Sequence, residues 1–265
     1  MKIVVCVKQV PDTTEVKLDP VTNTLIRDGV PSIINPDDKA GIEAALQLKE
    51  KLNDDSTVTI VSMGPPQADV ALREALAMGA DEAYLLSDRA FGGSDTFATS
   101  TIIAAGLKKV GYDIIITGRQ AIDGDTAQVG PQIAEHLGIP QASYAEEINV
   151  EGDKVVVRRQ YEDRHHILEL PIPCLVTALA ELAAPRYMSV GGCFDAYREK
   201  EVKILGFEDL KDGFDPANIG LKGSPTNVFK SFTKQAKGAG EIHKEISAEE
   251  AVATIIAKLE ERHII

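Results

Sequence analysis

Short apolar runs rich in β-branched residues alternate along this chain with longer stretches of helical periodicity, and this alternation restricts the fold more than any other feature. The strand candidates are Ile3–Val7, Val58–Ser62, Ala83–Leu86, Ile114–Thr117 and Leu175–Ala178, and the helical stretches lie near 37–52, 66–78, 95–109 and 126–137. Strands that are apolar throughout and joined by helices indicate a parallel sheet covered on both faces. We therefore predict a doubly wound, mostly parallel α/β fold.

Two segments depart from the alternation. Residues 10–35 contain turn residues at 18–20 and 27–29, which predict an excursion with a small hairpin. Residues 143–170 read as antiparallel strands joined by a turn at 151–153. We expect the antiparallel strands to extend the parallel sheet rather than to start another domain.

Local residue patterns mark the helix ends. Asn35 before Pro36 offers an N-cap followed by a proline at the first helical position, and two acidic residues then suit the helix dipole. The stretch Ser94-Asp95-Thr96 offers a second N-cap, and Gly79 is a natural C-cap. These positions predict where three helices begin or end.

The pattern loosens after Leu205, so we divide the chain into an α/β domain of residues 1–205 and an arm with a terminal helix at 206–265. The terminal helix opens with a capping box, Ser247–Glu250. Its apolar stripe consists of Val252, Ile255, Ile256 and Leu259. The stripe fits contact with a partner subunit or packing on the chain's own domain.

Charge and composition exclude several classes of function. The net charge is −13 and the pI is about 4.9, which argues against nucleic-acid binding and against docking on anionic lipid. No apolar run approaches the roughly 20 residues that span a bilayer, and the first residues do not resemble a signal peptide. The three cysteines, Cys6, Cys174 and Cys193, are widely spaced, which fits a reducing cytoplasm better than a disulfide framework or a zinc site.

The loop Gly118–Gly130 is the segment most suggestive of a binding site. It leaves a strand, contains glycines and neutral hydrogen-bonding side chains, and enters a helix whose free N–H groups suit a phosphate. An ordinary strand-to-helix turn explains the same spacing, because the loop is neither GxGxxG nor a Walker A sequence. Two further strand ends, 91–96 and 61–65, belong to the same predicted edge, and the first is explained equally well as pure helix capping.

No side-chain set for acid–base or nucleophilic catalysis is apparent. His165 and His166 are adjacent, so on a strand they face opposite sides and do not share a metal. Asp123 and Asp125 fit capping and loop solvation better than a catalytic or magnesium-binding pair. We therefore predict no catalytic residues and no metal site, and expect a cofactor to perform any chemistry.

Several stretches in a specific order resemble one family. These are Lys2–Val10, Asn35-Pro36, Leu76–Asp81, Gly118–Asp123, Leu170–Ala178 and Pro185–Tyr187. Over about residues 1–205 the chain resembles the β subunit of electron-transfer flavoproteins, particularly of the electron-bifurcating type. The resemblance implies a Rossmann-like, adenine-nucleotide-binding fold and a heterodimer with an α subunit that carries FAD.

The resemblance also implies which residues bind the nucleotide. The implied pocket comprises Cys6, Asn35, Pro36, Asp37, Asp38, Met63 and the loop residues Gly118, Arg119, Gln120, Ala121, Ile122, Asp123, Gly124, Asp125, Thr126, Ala127, Gln128 and Val129. This loop coincides with the one found from the strand end.

The segment Arg186–Lys200 matches the family's loop that docks on an acyl-CoA dehydrogenase. Val190 stands where the family has an anchoring leucine, and most of the lysines that usually follow are absent. The expected docking residues are Arg186, Tyr187, Val190 and Phe194.

The resemblance leaves a choice between two nucleotides in the β-subunit site, FAD in bifurcating members and AMP in the others. Ser94, Asp95, Thr96 and Thr99 resemble the bifurcating pattern and favour FAD. NADH is then the electron donor, and electrons go to ferredoxin or flavodoxin and, through the α-subunit FAD, to an acyl-CoA dehydrogenase. The alternatives are an AMP-binding carrier subunit and a stand-alone nucleotide sensor.

Overall fold

The computed structural model describes residues 1–12, 31–226, 238 and 240–265. It divides into two compact units, Met1–Phe229 and Lys230–Ile265. Among the described residues, no helix has both the length and the apolar character needed to cross a membrane.

A sheet of nine strands, counted over the described residues, forms the centre of the first unit. The strands in the described part of this unit are β1 (Lys2–Cys6), β2 (Gln9–Pro11), β3 (Ser32–Ile34), β4 (Thr57–Met63), β5 (Glu82–Leu86), β6 (Ile114–Gly118), β7 (Gln141–Glu151), β8 (Lys154–Gln160), β9 (His165–Pro171), β10 (Cys174–Ala178) and β11 (Val202–Leu205). The sheet order is β11-β5-β4-β1-β6-β10-β7-β8-β9. Pairing is parallel from β11 to β7 and antiparallel between β7, β8 and β9.

Helices cover both faces of this sheet. Those of the first unit are α1 (Pro36–Leu52), α2 (Asp69–Met78), α3 (Thr96–Val110), α4 (Val129–Leu137), α5 (Val190–Arg198), α6 (Phe207–Leu210) and α7 (Gly220–Gly223). Alternate residues of β1 point to opposite faces. Ile3 and Val5 join a cluster with α1 and α2, whereas Val4 belongs to a cluster with α3 and α4. The apolar strands predicted a sheet covered on both sides, and this prediction is confirmed.

The antiparallel extension is also present, and two short strands flank the segment for which the sequence predicted an excursion with a small hairpin. Strands β7–β9 continue the sheet beyond β10, and β2 pairs with β3 as a separate antiparallel ribbon. The turn residues at 18–20 and 27–29 lie outside the described residues.

Two helices begin later than the periodicity predicted. Residues 66–68 form a 3-10 turn, and α2 starts only at Asp69. The helix predicted from 126 starts at Val129 because Asp125 and Ala127 both adopt left-handed backbone conformations, with φ of 53° at each. The loop after β6 is therefore longer than the sequence suggested.

Residues 206–226 follow β11 and pack on the α3 face. Leu210 and Ile219 are buried there, and the Phe214 ring lies against Phe91 and Phe207. The first compact unit accordingly extends to Phe229, beyond the residue 205 expected from the sequence. The contact that we predict between the C-terminal arm with its helix and a partner subunit stays a prediction.

The second unit contains one helix, α8 (Ala248–Glu261), within its described residues. The predicted capping box is present: the Ser247 hydroxyl accepts from the Glu250 N–H, and the Glu250 carboxylate accepts from the Ser247 N–H. The predicted apolar stripe lies on the surface of this helix, with Val252, Ile255 and Ile256 exposed.

Candidate functional site

The strand order reverses at β1, which pairs with β4 on one side and β6 on the other. In open α/β sheets such a reversal leaves a crevice beyond the carboxyl ends of the strands, where ligands bind. Residues 7–8 follow β1 at this edge, 64–65 follow β4, and the loop 119–128 follows β6. The geometry therefore brings the predicted strand-end segments to one edge of the sheet.

The side chain of Asn35 does not cap α1, although the sequence predicted an N-cap at this position. Its side chain makes no capping hydrogen bond. The amide instead donates to the Gln120 carbonyl at 2.8 Å and accepts from the Ile122 N–H at 3.0 Å. Asn35 is fully buried, so it fixes the loop after β6 from behind rather than offering its side chain to a ligand.

Asp38 joins the two strand ends on either side of the reversal. Its carboxylate accepts hydrogen bonds from the backbone N–H of Lys8 at 2.7 Å and of Gly118 at 2.9 Å. Burial raises the pKa of this carboxyl group to about 7, although hydrogen bonds from Lys8, Asn35 and Gly118 act in the opposite direction.

Gly118 allows this contact. A Cβ at this position would collide with the Asp38 carboxylate and would lie 2.9 Å from the Asp37 Cβ. The structure shows that this glycine allows close approach of α1.

Asp37 lies beside Arg119, with 3.4 Å between the Asp37 Oδ2 and the Arg119 Nε. Burial raises the pKa of Asp37, and the guanidinium of Arg119 offsets part of this effect. The Arg119 N–H donates to the Ala178 carbonyl at the end of β10. The first two loop residues are thus fixed to α1 and to the sheet.

The far part of the loop, Asp123–Gln128, is more open. Asp125 and Ala127 are left-handed without being glycine, which costs about 1 kcal/mol each and is typical of functional loops. Within the described parts of the chain, the N–H groups of Thr126, Ala127 and Gln128 donate to no protein acceptor. Exposed N–H groups beside the start of α4 are a suitable cradle for a phosphate.

Three side-chain contacts shape this open part. Lys8 Nζ contacts both carboxylate oxygens of Asp123, at 2.7 and 2.9 Å. The Gln120 side chain donates to the Asp125 carboxylate. The Thr96 hydroxyl donates to the Gln128 side-chain oxygen at 2.9 Å, which joins the start of α3 to the loop after β6.

The loop before α3 is occupied largely by its own contacts. Within the stretch Ser94-Asp95-Thr96, where the sequence predicted an N-cap, Asp95 is the capping residue. It accepts from the Ala98 N–H at 3.0 Å, and its second oxygen accepts from the Thr226 N–H. The Ser94 hydroxyl donates to the Phe91 carbonyl. Thr99 is half-buried on the first turn of α3. Of the four residues taken from the bifurcating pattern, Thr96 has a direct contact with the loop after β6.

Cys6 and Met63 end the two strands next to each other in the sheet. Cys6 is buried, and burial raises the pKa of its thiol, so the side chain is a neutral apolar group. Met63 is half-buried and lines a small cavity beyond β4. The cavity has a volume of about 80 Å³ and is lined by Lys8, Gln9, Val10, Pro11, Ser32, Met63, Gly64, Pro65, Gln67 and Ala68.

The predicted docking residues lie on and before α5, and they divide into two groups. Tyr187 is 99% exposed and Val190 is 82% exposed, and Phe194 is also exposed. Arg186, in contrast, is engaged within the chain. Its Nε lies 2.7 Å and its Nη2 3.0 Å from the two carboxylate oxygens of Glu43, and its Nη1 contacts Glu50 at 2.6 Å.

Sequence reasoning missed Lys8 and Glu43, both of which contact predicted site residues. Lys8 ends the first apolar run and looks like an ordinary charged residue after a strand. Its position beyond the first strand of a doubly wound sheet was the available signal, since that strand borders the reversal. Glu43 lies in the middle of a helical pattern, and no local pattern relates it to Arg186.

Comparison with known proteins identifies the family to which the chain belongs. A model described as "Electron transfer flavoprotein domain" matches residues 22–207, more than half of the chain. The chain belongs to the electron transfer flavoprotein domain family. Membership implies flavin-linked electron transfer, and it confirms the resemblance found from the sequence.

Individual relatives of this family are similar over the whole chain. The electron transfer flavoprotein subunit beta of Clostridium acetobutylicum is 60% identical over 100% of both chains. The caffeyl-CoA reductase-Etf complex subunit CarD of Acetobacterium woodii is 55% identical, again over 100% of both. The acryloyl-CoA reductase electron transfer subunit gamma of Anaerotignum propionicum is 50% identical over the same shares.

Proposed function

We propose that this chain is the β subunit of a heterodimeric electron-transfer flavoprotein and that its loop Gly118–Val129 binds the phosphate of an adenine nucleotide. The family match and the relatives named as β or electron transfer subunits support the first part. The second part depends on the crevice at the strand reversal.

The single observation that carries the nucleotide proposal is the construction of this loop. Asn35 and Asp38 hold its first residues from behind, while the N–H groups of residues 126–128 remain available within the described chain. A rigid support beneath an open set of donors lowers the entropy cost of binding an anion. The left-handed residues Asp125 and Ala127 are consistent with strain retained for a ligand.

FAD is the nucleotide that we propose for this site. The contact between Thr96 and Gln128 joins the start of α3 to the loop after β6, and this supports a ligand that extends beyond an adenylate along both segments. FAD supplies, when bound, the exchange of hydride and single electrons that no side chain here provides. The proposed donor is NADH, and the proposed role is electron bifurcation to ferredoxin or flavodoxin and, through the α subunit, to an acyl-CoA dehydrogenase.

AMP is the second candidate, and a separate observation favours it. Ser94 and Asp95 are occupied by contacts to Phe91, Ala98 and residues 224–226. They are therefore less available to the additional groups of an FAD. With AMP the subunit would be a carrier component whose nucleotide is structural.

The exposed residues on and before α5 support a docking role for the segment 187–198. Tyr187, Val190 and Phe194 expose apolar surface that a partner can bury. Two relatives carry names that associate them with a caffeyl-CoA reductase complex and with acryloyl-CoA reductase. By analogy we propose an acyl-CoA dehydrogenase or reductase as the docking partner, and the α subunit as the partner of residues 230–265.

The test is to purify the chain coexpressed with an α subunit and to count its nucleotides by mass spectrometry and absorbance. Two FAD per heterodimer and bleaching by NADH support the bifurcating role. One FAD and one AMP support the carrier role instead. A chain that stays monomeric without an α subunit and binds a nucleotide favours a stand-alone sensor, and a complex without any nucleotide on this chain contradicts the proposal.

A further inference from the structure

Lys8 lies between two parts of the candidate site, the cavity beyond β4 and the loop after β6. It lines the cavity beyond β4 together with Met63. On its other side, Nζ contacts the two carboxylate oxygens of Asp123 at 2.7 and 2.9 Å. The next residue, Gly124, has no side chain, and a Cβ there would lie 4.0 Å from Nζ. The ammonium group thus lies against the open part of the loop.

The charge balance of this crevice makes Lys8 important. Within the described residues, four carboxyl groups lie on the first turn of α1 and on the loop after β6, at Asp37, Asp38, Asp123 and Asp125. Arg119 contacts Asp37, and Lys8 contacts Asp123. The guanidinium group of Arg119 faces the side chain of Asp37, and the Nε of Arg119 is buried. The Asp37 side chain is only 11% exposed. An anionic ligand in so acidic a crevice needs a compensating cation.

Lys8 has the capacity to provide this cation without losing its present contacts. An ammonium group has three donors, and the bonds to Asp123 use two of them. The side chain of Lys8 is 46% exposed, whereas that of Asp123 is 7% exposed. Asp123 therefore holds the ammonium group in place, while nearly half of the Lys8 side chain is exposed and, within the described chain, its third donor makes no hydrogen bond.

We propose that Lys8 binds the phosphate of the nucleotide, with Asp123 positioning its ammonium group against the loop 123–128. This inference rests on the proposed nucleotide site and adds a residue to it. A charge-assisted hydrogen bond to phosphate typically contributes about tenfold or more in affinity. The contribution applies to the phosphate alone, so it disappears for a ligand that lacks one.

The test compares ligands with and without phosphate on the αβ complex freed of nucleotide. AMP and adenosine are titrated calorimetrically into the native complex and into Lys8→Gln, Lys8→Arg and Lys51→Gln complexes; FAD and riboflavin form a second pair. Lys51 is the matched control because it lies in the last turn of α1, at the end away from Asp37 and Asp38, where it donates a hydrogen bond to Asn149. Thermal unfolding of each variant verifies that it is folded.

Lys8→Gln is expected to weaken AMP or FAD binding by about tenfold and to leave adenosine or riboflavin binding unchanged. Lys8→Arg retains most of the affinity, and Lys51→Gln retains all of it. The salt dependence of AMP binding also decreases in Lys8→Gln, which provides a measurement where adenosine binds too weakly to titrate.

Equal losses for the ligands with and without phosphate would overturn the inference, because they indicate a structural role for Lys8. Unchanged AMP and FAD affinity in Lys8→Gln would overturn it as well and would leave the proposed nucleotide site intact. A native complex that binds neither AMP nor FAD contradicts the proposed function itself, and the inference with it.

Discussion

The carboxylate of Asp38 accepts a hydrogen bond from the backbone N–H of Gly118, 2.9 Å away, although 80 residues separate them in the chain. The same carboxylate accepts from the Lys8 N–H at 2.7 Å. One buried side chain at the start of α1 therefore fixes the spacing of the strand ends that border the crevice. Helix α1 thus supports the candidate site through the hydrogen bonds of Asp38. The open part of the site is the loop 123–128.

Gly118→Ala is expected to destabilise the chain by about 1–3 kcal/mol, because the added methyl group collides with the Asp38 carboxylate and forces α1 away from β6. Gly124→Ala is the matched control. Apart from Lys8 Nζ at 4.0 Å, no atom lies within 4 Å of its added methyl group, so a change within about 0.5 kcal/mol is expected. Urea unfolding of both variants measures the difference, and equal stabilities would contradict this account of Gly118.

Asn35→Ala is expected to cost about 1–3 kcal/mol, since it leaves the Gln120 carbonyl and the Ile122 N–H without their buried partner. Amide hydrogen exchange should accelerate in residues 119–123. Asn149→Ala, an exposed asparagine on β7, is the control and should leave this loop unchanged. Normal protection of the loop in Asn35→Ala would exclude the proposed role of the amide.

The contrast between Asp95 and Asn35 explains how much of the site the sequence could predict. Asp95 caps an N–H three residues away, so a local pattern identifies it correctly. Asn35 stands in an equally good capping position, but its partners lie 85 and 87 residues further along the chain. A local pattern carries no information on such long-range competition for the same side chain.

The strands were predictable for a related reason. Residues such as Ile114–Ile116 are completely buried on both faces of the sheet, so apolar composition alone marks them. The start of α4 was not predictable from the sequence, because left-handed conformations at Asp125 and Ala127 are not expected for non-glycine residues. Two of the six left-handed non-glycine residues in the described part of the chain thus lie in the candidate site.

Asp38 predicts a specific pH dependence of stability. Its pKa is about 7 in the folded chain and 3.8 ordinarily, so the folded state holds a proton between these values that the unfolded state has lost. The stabilisation from this proton is complete below about pH 4 and is lost as the pH rises through about 7, by up to about 4 kcal/mol in total.

Asp38→Asn isolates this effect, because all other titrating groups are common to both chains. Urea unfolding between pH 5 and 8 should show that the stability of the native chain relative to Asp38→Asn increases as the pH falls below 7. The slope should approach about 1.4 kcal/mol per pH unit. A difference that is independent of pH would contradict burial of an ionisable Asp38 at this site.

Glu43 and Arg186 connect α1 to the segment that we propose for docking. Arg186 bonds hold the pKa of the Glu43 carboxyl group below its ordinary value even though burial acts in the opposite direction. Glu43→Gln should cost about 2 kcal/mol and should accelerate hydrogen exchange in residues 186–190. Glu50→Gln, which removes only the exposed contact, should change either quantity much less.

Binding of the nucleotide by the loop after β6 is tested most directly by amide hydrogen exchange of residues 118–130 in the αβ complex, with and without added AMP or FAD. We expect the nucleotide to slow exchange at residues 123–130, most of all at 126–128, and hardly to affect β8 and β9 at the far edge of the sheet. Protection that appears elsewhere on the chain and leaves residues 123–130 unchanged would contradict it.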